Sequence, residues 1–310
     1  MTNAPLNDKL AEAPTKSRFV PKHIREEWFG KSYVYSCVAI LLVTIASIVY
    51  FIASKGLNPF VTGRIGIWEI VSGVKWKPEA DSPQFGALPF LAGSFGTSII
   101  AALIAAPFGF CAAVYMTQLA PKFGRAVLQP AIELLAGIPS VVYGFVGLSV
   151  LVPFIRDHFP GHGFGIAAGS LVLALMILPT VTTISTDALS TLPAGLREGS
   201  FALGATRWQT IYRLILPTTL PSLLTGIVLG ISRAFGEALA VQMVIGNAPV
   251  VPHGLFESAT TLTSVITLEM GNTIGGSLHN YALWSLALML LLMTFVFIFI
   301  VRLLERRVKR

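Results

Sequence analysis

The sequence predicts an all-α polytopic membrane protein with six transmembrane helices. The composition is 54% hydrophobic and only 12% charged, with a mean hydropathy of +0.73. Soluble domains carry about 25% charged residues. Six apolar runs are long enough to cross a bilayer, which takes about 20 helical residues. Positive charges are also distributed unequally between the connections of these runs, as is typical of inner-membrane proteins.

The six predicted spans follow one another along the whole chain. They cover residues 34–53, 91–119, 127–155, 164–184, 220–245 and 281–301. The third run contains Gly137 and Pro139, so we expect a bent helix there. The Thr-rich segment before the last span leaves room for a re-entrant piece. Cys37 and Cys111 lie in apolar runs without a CxxC pattern, and we expect both to be buried small hydrophobic side chains.

The basic residues predict that both termini are cytoplasmic. Of the 22 Lys and Arg residues, 16 fall in segments assigned to the inner side, 5 fall in outer connections, and Arg233 lies within a span. Residues 1–33 form a polar tail without the apolar core of a signal peptide, and residues 304–310 form a basic tail. Residues 34–92 comprise the first span and an outer connection that is too short for a core of its own. The net charge of +7 therefore reflects cytoplasmic loops and not nucleic-acid binding.

The fifth predicted span carries two charges. Arg233 falls near its middle, where a guanidinium costs about 2.5–3.5 kcal/mol on insertion scales, so it should face protein or water. Glu237 follows one turn later. The charged face is otherwise built of small or short residues: Gly226, Gly230, Ala240 and Val244. Two interpretations remain open, an ion pair that only fixes packing and a polar pathway through the bilayer.

Three residues of the third run are further candidates for a role in a pathway or in packing. Glu133 lies about one turn inside the expected membrane boundary. Its carboxylate either reaches the interface by snorkelling or has a functional role. Pro139 and Ser140 follow at the predicted bend.

The connection at residues 188–217 predicts two amphipathic helices. Thr191 as a cap and Pro193 in the first turn indicate a helix that runs to Leu203 and stops at Gly204. In the second stretch, apolar residues recur at helical spacing: Trp208, Ile211, Tyr212 and Ile215. Such a connection either links two spans at the membrane surface or docks a short helix into a groove on a cytoplasmic partner.

No catalytic or cofactor motif emerges from the sequence. Gly30-Lys31-Ser32 ends like a phosphate-binding loop, but Arg25 stands where that loop needs its first glycine. There is no HExxH zinc motif, and the five histidines all fall in predicted tails or loops. We therefore expect no catalytic residue, no metal and no bound cofactor, which argues against an intramembrane enzyme.

Residues 198–217 resemble the EAA signature of ABC importer permeases. That signature places Glu-Ala-Ala, a Gly after three residues, and Ile-x-Leu-Pro after nine more. The chain keeps Glu198, Gly204 and Leu216-Pro217 at this spacing. The resemblance implies an ABC importer type I (MetI-like) permease core over residues 93–303. It also implies a cytoplasmic coupling helix that meets an ATPase through Arg197, Glu198, Gly204, Leu216 and Pro217.

Further stretches resemble one subgroup of these permeases. Residues 135–144 and 233–237 are similar to phosphate importer permeases, and residues 85–89 and 261–264 are closer to the PstC-type subunit than to the PstA-type subunit. The resemblance implies import of inorganic phosphate with a PstA-type permease, cytoplasmic ATPase subunits that use ATP, and an extracytoplasmic phosphate-binding protein.

Under this resemblance Arg233 would offset the phosphate charge, and Glu237 would hold Arg233 and prevent over-tight binding. One alternative is an importer for another oxyanion, sulfate or molybdate, because Arg233 would suit these anions too. Another is a stand-alone secondary anion transporter or channel, which would not need the coupling signature.

Overall fold

The computed structural model describes residues 22–80 and 82–308, so the outer parts of both predicted tails, 1–21 and 309–310, lie outside the described residues. The described chain is mainly helical. The α-helices are α1 Lys22–Val61, α2 Ile67–Ser72, α3 Leu88–Val114, α4 Pro121–Phe123, α5 Gln129–Gly137, α6 Ser140–Val146, α7 Val152–His158, α8 Ile166–Ser190, α9 Ala194–Ala202, α10 Arg207–Thr210, α11 Leu216–Gly236, α12 Leu239–Val244, α13 Leu262–Glu269 and α14 Leu278–Val308.

Short irregular elements complete the secondary structure. Strands β1 Trp76–Lys77 and β2 Gln84–Phe85 pair antiparallel in a small hairpin. Four π-helical turns extend or join the helices, and a single 3₁₀ turn follows α13. These turns are Tyr115–Leu119, Gly124–Leu128, Gly147–Leu151, Ile211–Ile215 and Met270–Asn272.

Six helical stretches among the described residues are long and apolar enough to cross a membrane, which confirms the predicted number. They are Gly30–Val61, Leu88–Leu119, Ser140–His158, Ile166–Ser190, Arg207–Gly236 and Leu278–Ile300. The third is shorter than predicted because the expected bend is a complete interruption. Ile138 and Pro139 are extended, with ψ of 127° and 141°. The fifth starts earlier because a π-helical turn joins α10 to α11 without a break.

The chain divides into two units, residues 1–51 and 52–310. In the first unit the described side chains of residues 30–50 are all exposed, an apolar surface of the kind that lipid can cover. Cys37 lies on this surface, and Cys111 in the second unit is also exposed. The prediction that both cysteines are buried is therefore wrong, because an apolar run does not show which of its faces meets lipid.

The core of the second unit is α8 packed between α3 and α11. Glycines permit this close approach. A Cβ atom on Gly109 of α3 would lie 2.9 Å from a methyl group of Val181, and one on Gly230 of α11 would lie 3.2 Å from the other. Small residues at helix interfaces are a common means of close packing in membranes. The predicted small-residue face of the fifth span is thus a packing face as far as Gly230.

The connection between the first two spans has no core of its own, as predicted. Its buried Trp76 packs edge-on against Phe85 and Phe90, with ring centroids 5.7 and 5.3 Å apart. The Trp76 Nε1–H donates to Glu269 Oε2 at 3.0 Å, and His279 Nε2 lies 2.8 Å from the same oxygen. The hairpin is therefore fastened to the segment that precedes α14.

Candidate functional site

The predicted fifth span is interrupted at its charged face. Helix α11 ends at Gly236, and α12 begins at Leu239. Arg233 therefore lies in the last turn of α11, and the prediction of one continuous helix to residue 245 is wrong. Glu237 has an extended backbone, with φ of −76° and ψ of 125°. It no longer stands one helical turn below Arg233 on the same face.

Glu237 stabilises the interruption with both its backbone and its side chain. Its carbonyl oxygen accepts a hydrogen bond from Thr263 Oγ1 at 2.8 Å, and its Oε1 accepts one from the Ala240 N–H at 3.3 Å. The second bond satisfies one of the free N–H groups at the start of α12. Glu237 is thus occupied in capping α12 and in joining the interruption to α13.

Arg233 has a hydroxyl and not a carboxylate as its partner. Its guanidinium donates to Thr180 Oγ1 of α8 at 3.4 Å, and the side chain is exposed. Within residues 22–80 and 82–308, no ion pair joins Arg233 to Glu237. The alternative of a self-neutralising ion pair is therefore wrong. Since Arg carries five N–H donors, most of them remain available to a ligand.

The interruption of the third span lies beside the interruption of the fifth. Tyr143 of α6 donates its hydroxyl to the Leu135 carbonyl of α5 at 2.8 Å, which bridges the extended residues around Pro139. A Cβ on Gly144 would lie 2.9 Å from the Cα of Ala240, so α6 and α12 pack closely. The structure thus brings together residues 135–144 and 233–237, which were separate motifs in the sequence.

A polar cavity of about 450 Å³ lies towards the α9 end of α8. Glu133 lines it and accepts a hydrogen bond from Gln129 Nε2 at 3.0 Å. Asp187 lines it from α8, and sequence analysis missed this residue because it stands at the edge of a predicted span. The remaining lining residues come from three helical segments: Met116, Thr117, Ile132, Thr182, Thr183, Thr186 and Ser190. The high density of Thr and Ser residues in this part of the chain was the sequence signal that could have indicated the cavity.

The position of Ser140 says less about a role in a pathway than the position of Glu133 does. It opens α6 directly after Pro139, the residue that precedes the helix, and it is half-buried. Neither Pro139 nor Ser140 lines the polar cavity. The structure places both at the interruption between α5 and α6.

The predicted coupling helix is present as α9. It ends at Ala202, and Gly204 follows with a φ of +82°, the left-handed conformation that suits a glycine beyond a helix end. The predicted cap is wrong, because Thr191 belongs to the end of α8 and donates its hydroxyl to the Ala188 carbonyl at 2.9 Å. The residue that precedes α9 is Pro193.

Two polar contacts position α9. Arg197 NH1 donates to Gln118 Oε1 at 3.3 Å, in the π-helical turn that extends α3. Ser200 Oγ lies 2.9 Å from Thr210 Oγ1 of α10. The outward surface of α9 leaves Glu198 and several apolar side chains exposed. The apolar ones are Leu196, Phe201 and Leu203, with Leu203 90% exposed.

The apolar residues after α9 do not form the single apolar face that their spacing predicts. Ile211 and Ile215 are buried, whereas Trp208 and Tyr212 are 67% and 72% exposed. A π-helical turn over Ile211–Ile215 changes the residue spacing, so the four side chains do not share one face. Leu216 and Pro217 then open α11 directly after this π-helical turn, so the chain passes into the span without a break in the helix.

The six membrane-spanning helices and the charged interruption are typical of a multi-pass membrane transport subunit. Comparison with known proteins shows the family to which it belongs. The chain matches the binding-protein-dependent transport system inner membrane component family over residues 98–310. It belongs to this family and is thus an inner-membrane permease component of an ABC transporter.

Individual relatives support this assignment. The chain is 51% identical to the probable ABC transporter permease protein YqgH of Bacillus subtilis, over 92% of each chain. It is 37% identical to the phosphate transport system permease protein PstC of Pasteurella multocida, over 76% of this chain and 78% of that one. It is 32% identical to PstC of Xylella fastidiosa, over 92% of each chain.

Solved structures show the same fold. A bacterial alginate ABC transporter, solved with an alginate-bound periplasmic protein, has a chain that matches with a TM-score of 0.65. That match is 15% identical and covers 93% of this chain and 98% of the other. A chain of the MetNI methionine ABC transporter matches with a TM-score of 0.54 at 21% identity, over 73% of this chain and 95% of that one. The predicted MetI-like fold is confirmed.

Proposed function

We propose that this chain is the permease subunit through which an ATP-driven importer passes inorganic phosphate. The names of the PstC relatives, at 31–37% identity over most of their length, support phosphate as the substrate. The subunit itself is non-catalytic, and ATP is hydrolysed by partner ATPase subunits. A PstA-type permease completes the membrane part, and an extracytoplasmic phosphate-binding protein delivers the anion.

The exposed guanidinium of Arg233 is the observation that carries this proposal. Its partner in the described structure is a hydroxyl at 3.4 Å, which leaves its positive charge uncompensated by a carboxylate. A planar guanidinium matches the oxygens of phosphate with two parallel hydrogen bonds. Such a charge within a span is costly unless a pathway uses it.

The interrupted helices give Arg233 a defined place on that pathway. Glu237 caps α12, so its role is to hold the end of α11 in position, in place of the direct contact with Arg233 that we expected. Tyr143 bridges the extended residues around Pro139, and α6 packs closely on α12, the helix that Glu237 caps. The polar cavity, which follows Thr180 along α8, then offers the anion an exit towards α9.

Helix α9 supplies the contact with the ATPase. Both termini and α9 are placed in the cytoplasm on the basis of the distribution of Lys and Arg. The exposed Phe201 and Leu203, next to Glu198, form an amphipathic surface of the kind that fits a groove. ATPase closure would move α9 and thereby the spans that Arg197 and Ser200 connect to it.

Phosphate uptake by Arg233 variants tests the proposal. The assay uses cells that lack other phosphate importers, with the membrane level of each variant measured. Arg233→Gln should abolish uptake while assembly persists, because an exposed side chain contributes little to packing. Arg233→Lys should restore uptake only in part, since an ammonium keeps the charge but loses the planar fork. Arg156→Gln, which changes an exposed arginine outside the site, is the matched control and should transport normally.

Two results would contradict the proposal. Full phosphate uptake by Arg233→Gln would show that the guanidinium does not serve the anion. Uptake of sulfate or molybdate, with no response to phosphate in the complete importer, would assign a different oxyanion. Glu237→Gln should retain a substantial part of the uptake, because a glutamine oxygen can still accept the bond from the Ala240 N–H.

A further inference from the structure

The polar cavity at the end of α8 offers hydrogen-bond acceptors and few donors. Glu133 and Asp187 contribute two carboxylates, which can only accept hydrogen bonds, and cannot donate them, when they are ionised. The cavity begins at Thr182 and Thr183, about one helical turn from Thr180, the partner of Arg233. An anion that leaves Arg233 along α8 must therefore pass these acceptors.

Hydrogen bonds within the wall increase the excess of acceptors. Thr117 donates its hydroxyl proton to the Ala113 carbonyl, and Thr182 donates to the Leu178 carbonyl, both at 2.8 Å. Ser190 donates in the same way to the Asp187 carbonyl at 3.0 Å. These hydroxyls present only oxygen lone pairs to the cavity.

The described wall holds a few neutral donors. The buried Thr186 hydroxyl has no hydrogen-bond partner among the described residues, Thr183 exposes its hydroxyl, and Gln129 donates through Nε2 to Glu133. The lining side chains that the structure describes include no Lys, Arg or His. The last turn of α8 adds the partial negative charge of a helix C-terminus.

We propose that Glu133 and Asp187 make this cavity selective for oxyanions that still carry a proton. Inorganic phosphate keeps at least one O–H group near neutral pH, whereas sulfate keeps none. A phosphate O–H can donate a short, charge-assisted hydrogen bond to a carboxylate. Sulfate has no proton to donate, so its oxygens would face the carboxylate oxygens without a hydrogen bond. The carboxylates therefore reject sulfate, as unpaired like charges do in other selective sites.

This inference rests on the proposed phosphate import and adds to it a step of selection in the permease itself. Arg233 attracts any oxyanion, because a guanidinium recognises charge and geometry and not the proton. The carboxylates beyond it distinguish anions by their protons, and they weaken binding enough for the anion to leave. Both properties suit the exit of a transport pathway.

Protection of a cysteine placed in the cavity tests the selection directly. Thr183→Cys, in a background with Cys37 and Cys111 replaced by serine, puts an exposed thiol on the wall. The complete importer is studied in inside-out vesicles without binding protein, so that the permease alone selects. The rate of thiol labelling is measured with phosphate, arsenate, sulfate, Na⁺ or Mg²⁺ at constant ionic strength.

Phosphate and arsenate, which both carry a proton, should slow labelling at concentrations at least about tenfold below those needed for sulfate, as expected for one charge-assisted hydrogen bond. Glu133→Gln together with Asp187→Asn should reduce this preference towards one. Asp157→Asn, an exposed carboxylate outside the cavity, should leave the preference unchanged. Membrane levels are compared for all variants.

Three results would overturn the inference. Equal protection by sulfate and phosphate would show that the cavity does not select between them. Protection by no oxyanion would show that the cavity does not bind oxyanions, and protection by Na⁺ or Mg²⁺ alone would indicate a cation site. None of these results touches the proposed function, which is tested separately by the dependence of phosphate uptake on Arg233 and by the anion that the complete importer takes up.

Discussion

Gly204, which follows the end of α9, has a backbone conformation that other residues adopt only at a cost. Its φ is +82°, and a Cβ atom built on it would meet no described atom within 4 Å. Backbone strain is therefore the expected effect of Gly204→Ala within the subunit. The left-handed conformation costs an L-residue roughly 1–2 kcal/mol. If the ATPase binds only a helix that ends in this way, its apparent affinity should fall about 5- to 30-fold.

Two other variants separate the backbone from the surface. Gly199→Ala makes the same chemical change inside α9, where a Cβ also meets no described atom within 4 Å. Alanine is there the better helix former by up to about 1 kcal/mol, so this control should bind as well as the parent or better. Gly204→Asn keeps more of the left-handed conformation, because asparagine visits it readily. It should therefore bind better than Gly204→Ala although its side chain is larger.

The assay titrates the purified ATPase against permease in vesicles and measures both binding and stimulated ATP hydrolysis. Equal membrane levels of the variants are a precondition. Unchanged affinity and hydrolysis in Gly204→Ala would refute the requirement for the left-handed end. If Gly204→Asn bound more weakly than Gly204→Ala, close approach of the ATPase would explain the glycine, and its backbone conformation would not.

Two further predictions concern topology and the outer connection. The topology test uses the background without Cys37 and Cys111. A cysteine at exposed Thr206 should be labelled only from the cytoplasm, and one at exposed Leu255 only from outside. The reverse labelling at either site would overturn the six-span orientation. Glu269→Ala removes the acceptor of both Trp76 and His279 and should destabilise the purified protein by about 1–3 kcal/mol, measured as a lower Tm. Glu79→Ala, which changes an exposed carboxylate between β1 and β2, should leave the Tm unchanged.

Helix α9 could be predicted because its limits depend on local chemistry. Pro193 favours a helix start, and Gly204 supplies the left-handed residue that closes the end. The same local view misplaced the cap at Thr191. That hydroxyl has two competing uses, and the end of α8 takes it.

The interruption at Glu237 could not be predicted from the residues around it. No proline marks the position, and apolar residues continue beyond it. The structure shows that the extended backbone depends on Thr263, which is 26 residues away and donates to the Glu237 carbonyl. The proximity of Asp187 and Glu133 is likewise a result of helix packing, and sequence spacing contains no trace of it.

Helix α8 connects all parts of the candidate site. Thr180 accepts the hydrogen bond from Arg233, and five residues of the following turns line the cavity: Thr182, Thr183, Thr186, Asp187 and Ser190. Thr191 then leads through Pro193 into α9. From Thr180 to Thr191 the helix covers roughly 16 Å. A displacement of α9 by the ATPase would thus reach the partner of Arg233 through a single continuous helix, provided that Arg197 and Gln118 carry the end of α3 along with it.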